Sequence, residues 1–243
     1  SPGEPTQGCG AVAMMVTANP RILALDPEVG MYTEDVMDFW RPNYRDQALV
    51  DGKYSTRVYL QSLQECWLQY RQQAKRDVGD LYRYCYHLPF TRIAEKAHER
   101  LAKASGVELT PEQMERQIGG ALLYNRVTGN SYAASLYVGL TCLLDTNTED
   151  LGGRRIGLFS YGSGCVAEYF SGVVQPGYRA VLFADAHRQM LEGRTELTYR
   201  QYEDIYNLVF PTDGGRHTFS RYRTGAFRLA GVNQHKRLYE AAT

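Results

Sequence analysis

The sequence makes little use of cysteine. Cys9, Cys66, Cys85, Cys142 and Cys165 are odd in number, scattered, and include no C-x-x-C pair. That pattern argues against a disulfide framework and for a reducing, intracellular setting. Four of them lie in apolar contexts, where an inert small hydrophobe is the default; Cys9, in "TQGCG", has glycine neighbours but no helix start behind it. Net charge is also missing, because 27 Lys and Arg balance 27 Asp and Glu. No overall positive field recruits nucleic acid or an anionic membrane, although local basic clusters remain able to hold a small anion. No apolar run reaches membrane-spanning length. The opening "SPGEPTQGCG" has neither a charged n-region nor an apolar h-region, so it is not a signal peptide. It has no Met and reads like the middle of a domain. His98, His187, His217 and His235 show no ligand spacing with carboxylates or cysteines, so no metal site is expected. Neither a P-loop nor a G-x-G-x-x-G pattern occurs.

What is present alternates between strand and helix patterns. At 243 residues the chain suits one large domain or two small ones. "AVAMMVT" (Ala11 to Thr17) predicts a strand buried on both faces, and "NPRILAL" a second strand after a turn at Asn19-Pro20. Asp38 to Ser55, punctuated by Pro, Gly and Asp, reads as an ordered loop. Tyr59, Leu60, Leu63, Cys66, Trp67 and Tyr70 recur at helical spacing between Ser55 and about Lys75. "LYRYCYHL" alternates until Pro89 and predicts a strand ending near His87, with a helix from about Thr91 to Ser105. Thr110, Pro111 and Gln113 form a capping box with Pro first, opening a helix toward Tyr124. "NSYAASLYVGLTCLLD" predicts another helix. "RRIGLFSYGSGCVAEYFSGVV" reads as two strands joined by a turn at Gly162-Ser163-Gly164. "YRAVLFADAHRQMLEG" reads as a helix ended by Gly193, and Thr198 with Gln201 caps another. A last strand is expected from about Ala226 to Glu240. No linker or second core is evident, and the alternation predicts a layered α/β domain.

Four features have chemical potential, each with a plain structural alternative. His87 ends a strand, where open α/β sheets place ligands, and it has the chemistry to hydrogen-bond or protonate a carbonyl oxygen; it equally fits a loop-filling histidine. Arg92 and Lys96, four apart near a helix start, suit a phosphate or simply a solvated face countered by Glu95 and Glu99. Asn130 sits at an expected N-cap, where it either satisfies backbone N–H groups or holds a substrate carbonyl. Ser163, between two glycines in "FSYGSG", belongs to a turn that offers N–H groups to an oxyanion or merely closes a hairpin. It is not a G-x-S-x-G elbow, and no acidic residue lies at a readable triad spacing, so serine hydrolysis fits poorly.

Taken in order, "GEPTQGCGAVAM", "DFWRP", "VDGKYS", "HLPFTRIAEKA", "NRVTGNSYAASLY", "IGLFSYGSGCVAEYFSG" and "GRTELTYRQYE" resemble the C-terminal part of the hydroxymethylglutaryl-CoA synthase family, most closely its bacterial, mevalonate-pathway form. The resemblance covers nearly the whole chain. It implies a thiolase-like layered αβαβα fold, with residues 1–243 as its C-terminal half and part of the linking region. It implies a Claisen-type condensation of acetyl-CoA with acetoacetyl-CoA, with CoA thioesters as substrates and no further cofactor. It puts the family's active-site histidine at His87, which would hold and protonate the ketone oxygen. Substrate contacts fall on Thr6, Ser55, Lys96, Asn130 and Ser163, with Lys96 at the CoA portion and Arg92 keeping positive charge for a CoA phosphate. Glu95 stands where relatives commonly have lysine, and Cys9 replaces a small residue. The family's nucleophilic cysteine and general-base glutamate lie upstream of "EPTQG", so the resemblance implies an N-terminal partner segment and a cytoplasmic homodimer of such pairs. Two other readings are a polyketide β-branching synthase acting on carrier-protein substrates and a non-catalytic CoA-binding half-fold.

Overall fold

In the computed structural model of the chain, the structure describes residues 3–219 and 225–241. The chain divides into two compact units, Ser1–Glu192 and Gly193–Thr243.

The first unit is built on strand alternation. Its sheet has the order β1 (Leu23–Thr33), β6 (Val166–Val174), β5 (Arg155–Gly162), β4 (Arg83–Tyr86). β1 and β5 run antiparallel to β6, while β4 runs parallel to β5. Successive side chains leave a strand on opposite faces. Tyr84, Tyr86, Phe159, Tyr161, Ala167 and Tyr169 therefore share one face, where they bury Tyr59, Leu63 and Trp67 of α1 (Gly52–Ala74) and Ile93, Ala97 and Leu101 of α2 (Ile93–Ala104). Cys85, Ile156, Leu158, Phe170 and Val174 share the other face and pack on Leu136, Leu140, Leu143 and Leu144 of α5 (Ala134–Thr146). The result is helix on sheet on helix, the α/β layering that the alternating pattern predicts. The unit also contains a two-strand ribbon, β2 (Phe39–Trp40) with β3 (Leu49–Val50), and the short helices α3 (Pro111–Ile118) and α4 (Leu123–Thr128). α6 (Ala184–Glu192) closes the unit.

Several boundaries differ from the sequence reading for physical reasons. Ala11 to Thr17 is not a strand: Met14, Met15 and Val16 are 54%, 89% and 97% exposed, and no described strand pairs with this run. Apolar, β-prone residues make a strand only when a partner edge is available. The second strand continues through Pro27 to Thr33, because β1 lies at the sheet edge and a register shift between Leu25 and Val29 absorbs the missing N–H. The expected loop at 38–55 contains the β2–β3 ribbon, and Asp51 caps α1 by accepting the Tyr54 N–H at 3.0 Å. The box at Thr110 and Gln113 is present, but Gly119 and Gly120 end that helix early. Residues 178–193 are a short 3-10 turn followed by α6 rather than one helix.

In the second unit, Thr198 and Gln201 cap α7 (Tyr199–Tyr206) as expected. The single last strand is instead a hairpin, β8 (Phe227–Asn233) with β9 (Lys236–Ala241), turned at Gln234 and His235, which both have positive φ. β7 (His217–Thr218) adds to β8.

Gly30 shows how tightly β1 sits on α1. A Cβ there would lie 1.8 Å from the Cys66 carbonyl oxygen. Gly30→Ala is expected to lower stability by at least about 2 kcal/mol through overpacking, whereas Gly52→Ala, which meets nothing within 4 Å, should be near neutral. Equal denaturant midpoints for the two variants would contradict this packing.

Candidate active site

His87 follows directly on β4. Its N–H donates to the Phe159 carbonyl at 2.8 Å, extending the parallel ladder, and its carbonyl accepts the Tyr59 hydroxyl at 2.9 Å. The alternation that puts Cys85 against α5 carries the His87 ring the same way. Nδ1 lies 2.9 Å from Ser135 Oγ in the first turn of α5, and the same oxygen accepts the Leu88 N–H at 2.9 Å. The residue is 7% exposed. Burial pushes its pKa down to about 4, with a backbone hydrogen bond to Tyr132 acting the other way. The imidazole is neutral near pH 7.

Asn130 is not the helix N-cap that its position suggests. α5 begins at Ala134, and Asn130 Oδ1 accepts the Tyr132 N–H at 2.9 Å, turning the chain through a left-handed Tyr132 (φ 55°). Thr6 and Asn130 are brought together by main chain: the Asn130 N–H donates to the Thr6 carbonyl and the Gly8 N–H to the Asn130 carbonyl, each at 2.9 Å. Gly8 has to be glycine, since a Cβ would lie 1.9 Å from the Thr128 oxygen. The exposed Thr6 hydroxyl donates locally to the Gly3 carbonyl at 3.0 Å.

Ser55 and Ser163 are joined by a residue that the sequence reading passed over. Asp38 is fully buried, and its carboxylate accepts from Ser55 Oγ and Tyr161 Oη, both at 2.8 Å, and from the Gly164 N–H at 3.0 Å. Burial alone would raise its pKa, but the hydrogen bonds from Tyr161, Ser55, Gly164 and Ser163 outweigh it and hold the carboxyl below its ordinary value. One N–H of the glycine turn is thus committed to Asp38 rather than open to an oxyanion. Tyr161 and Tyr59 fill the space between the two centres, with ring centroids 6.3 Å and 6.5 Å from His87. The signal for Asp38 is a carboxylate directly before an aromatic pair, Phe39-Trp40, in the "DFWRP" stretch, where the sequence reading singled out no site residue.

The remaining candidates stand apart. Arg92 and Lys96 are exposed at the start of α2, with Arg92 4.0 Å from Glu95. Among the described residues no hydrogen bond ties either to His87, Asn130 or Ser163. His98 is a satisfied core histidine, bonded to Tyr86 Oη at 2.8 Å and Gln117 Oε1 at 2.7 Å. Four cysteines are buried and Cys9 is exposed, as their contexts indicate; burial pushes the Cys66 thiol up to about 12 and raises Cys85 and Cys142. No cluster of three His, Cys, Asp or Glu fit for a metal occurs among the described residues. Two clefts of about 480 and 820 Å³ lie away from His87, one at Asp145, Arg179 and Phe183 and one between α2 and α3. No helix of the described chain is long and apolar enough to cross a membrane.

The Asp38 cluster has a pH signature. A depressed carboxyl contributes stability above its unfolded pKa and loses it as pH falls through the folded value. Stability is expected to drop as pH falls below about 4, and Asp38→Asn should flatten that drop while lowering stability at pH 7 by about 2 kcal/mol. Equal acid limbs in urea titrations of the two proteins would refute the cluster as drawn.

The comparisons with known proteins agree with one another. The family model described as hydroxymethylglutaryl-coenzyme A synthase C terminal matches residues 23–104 and 91–213. The hydroxymethylglutaryl-CoA synthase of Enterococcus faecalis is 42% identical over 88% of this chain and 55% of its own length. PksG of Bacillus subtilis, a polyketide 3-hydroxy-3-methylglutaryl-ACP synthase, is 31% identical over 84% of this chain and 49% of its own length. The crystal structure of an HMG-CoA synthase complexed with CoA superposes with a TM-score of 0.88, at 36% identity over 99% of this chain and 62% of that one. The chain spans about half the length of the curated relatives it matches, and the α/β fold is thiolase-like, as theirs is. This chain belongs to the hydroxymethylglutaryl-CoA synthase family and corresponds to the family's C-terminal part.

Proposed function

We propose that this chain supplies the acetoacetyl-CoA-binding side of a synthase that condenses acetyl-CoA with acetoacetyl-CoA to hydroxymethylglutaryl-CoA. The observation that carries the reading is the buried, neutral His87 ring, seated on Ser135 and facing the Asn130 turn. A neutral imidazole with an N–H to donate suits a carbonyl oxygen that gains charge during attack. The Asp38 cluster fixes Ser55 and the Ser163 loop at the same end of the sheet. Arg92 and Lys96, exposed and basic, suit the phosphates of CoA.

The acyl-transfer step needs a nucleophile from elsewhere. Four of the five cysteines are buried, with thiol pKa raised at Cys66, Cys85 and Cys142, which suppresses the thiolate that acyl transfer requires. An N-terminal segment bearing the cysteine and the base supplies it in this reading, and it covers Met14, Met15 and Val16, which this chain leaves exposed. The pair assembles as a homodimer. Closer identity to the CoA-type relative than to the carrier-protein type supports CoA thioesters over carrier-bound substrates.

In the protein joined to its N-terminal segment, His87→Ala should slow condensation by roughly 10²- to 10⁴-fold while acetylation of the upstream cysteine by acetyl-CoA persists. Retained condensation in that variant would overturn the assignment. Co-expressed with that segment, the chain should elute as a dimer of pairs and turn over acetoacetyl-CoA. Stable, monodisperse elution of this chain alone at its own mass, with no uptake of the segment, would count against the arrangement.

A further inference from the structure

Ser135 Oγ stands against one ring nitrogen of His87. Its hydroxyl oxygen already accepts the Leu88 N–H at 2.9 Å, and its own hydrogen needs an acceptor because the residue is fully buried. Among the described residues, the acceptor that the structure offers is His87 Nδ1, at 2.9 Å. A hydroxyl that donates to Nδ1 requires that nitrogen to be bare, and in a neutral imidazole the proton then sits on Nε2.

We infer that Ser135 is a positioning residue that holds His87 as the Nε2–H tautomer, so that the ring meets the substrate ketone as a neutral hydrogen-bond donor and not as an imidazolium acid. This rests on the reading of His87 given above and deepens it. The peptide frame supports the assignment. Ser135 is pinned by its own carbonyl, which accepts the Asn125 side-chain N–H at 3.0 Å. Leu88 is pinned by the ladder bond of His87 just before it. Neither end of the Leu88–Ser135–His87 chain is therefore free to swing. In the condensation, the carbanion forms the new C–C bond at the ketone carbon and the carbonyl π pair moves onto oxygen. Nε2–H hydrogen-bonds that oxygen while it is negative. The alkoxide takes its proton from solvent and the protonated base returns one to solvent, so the imidazole ends unchanged. A neutral imidazole is competent in this role because it polarises a carbonyl without first having to be charged.

The test is ring-¹⁵N-histidine NMR of the protein joined to its N-terminal segment, with no substrate present, compared with Ser135→Ala and Ser135→Thr. The wild type should show His87 with its proton on Nε2 and no titration between pH 5.5 and about 8. Ser135→Ala should lose that preference, and Ser135→Thr, which keeps the hydroxyl, should restore it. In the protein with its N-terminal segment, Ser135→Ala should lower kcat for condensation by about tenfold or more with little change in KM, and Ser135→Thr should recover most of it. A His87 proton on Nδ1 in the wild type overturns the inference whether or not the variants fold. So does a tautomer unchanged in a folded Ser135→Ala. Because the NMR needs no substrate, it separates this inference from the synthase reading: loss of the Nε2–H tautomer sinks the first, while retained condensation in His87→Ala sinks the second.

Discussion

The hydroxyl of Ser135 is the joint on which the site depends. It lies within 2.9 Å of both the Leu88 N–H and His87 Nδ1, so it ties the end of β4 to the first turn of α5. That joint exists because the sheet and α5 bury each other through Leu136, Leu140, Leu143, Ile156 and Leu158. Each such side chain contributes roughly 1.5–3 kcal/mol when fully buried, more than the entropy lost in ordering one serine. Apolar packing thus comes first in the causal order. The leucines place the helix, and the serine then meets the imidazole at a position already set.

The second centre is assembled from the opposite face of the same sheet end. Tyr161 and Ser55 reach Asp38 from the face that holds α1, while His87 turns toward α5. A strand end is where the two faces of a sheet meet without a side chain between them, which is why ligands gather there in α/β proteins. Tyr59 and Tyr161, 5.2 Å apart, fill the junction, and Tyr59 also bonds the His87 carbonyl.

Much of this was legible in the sequence where a local rule and the tertiary demand coincide. The alternation at 81–88 before Pro89, the capping boxes at Thr110 and Thr198, and the hairpin at Gly162–Gly164 all follow short-range chemistry, and the structure keeps them. His87 was visible because a proline ends its strand. What escaped was decided by distant partners. Asp38 looks like turn punctuation until Ser55, Tyr161 and Gly164, between 17 and 126 residues away, converge on it. Asn130 looks like an N-cap, but the chain at Gln7 and Gly8 captures its backbone and moves the helix start to Ala134. Ala11 to Thr17 has the composition of a strand and lacks a partner edge among the described residues. Composition does not state whether such an edge exists.

His87 and Asp38 show how one environment yields two charge states. Both are buried at the same end of the sheet, and burial opposes charge on each. Asp38 gathers donors from Tyr161, Ser55, Ser163 and the Gly164 N–H, and charge-assisted hydrogen bonds of that number overcome desolvation. His87 has an alcohol on Nδ1 and a backbone contact to Tyr132, with no carboxylate against the ring among the described residues, so desolvation wins and the ring stays neutral. The donors gathered around each group decide whether desolvation is overcome. A carboxylate fixed as an anion organises a loop, while an imidazole kept neutral has one N–H to donate and one bare nitrogen to accept.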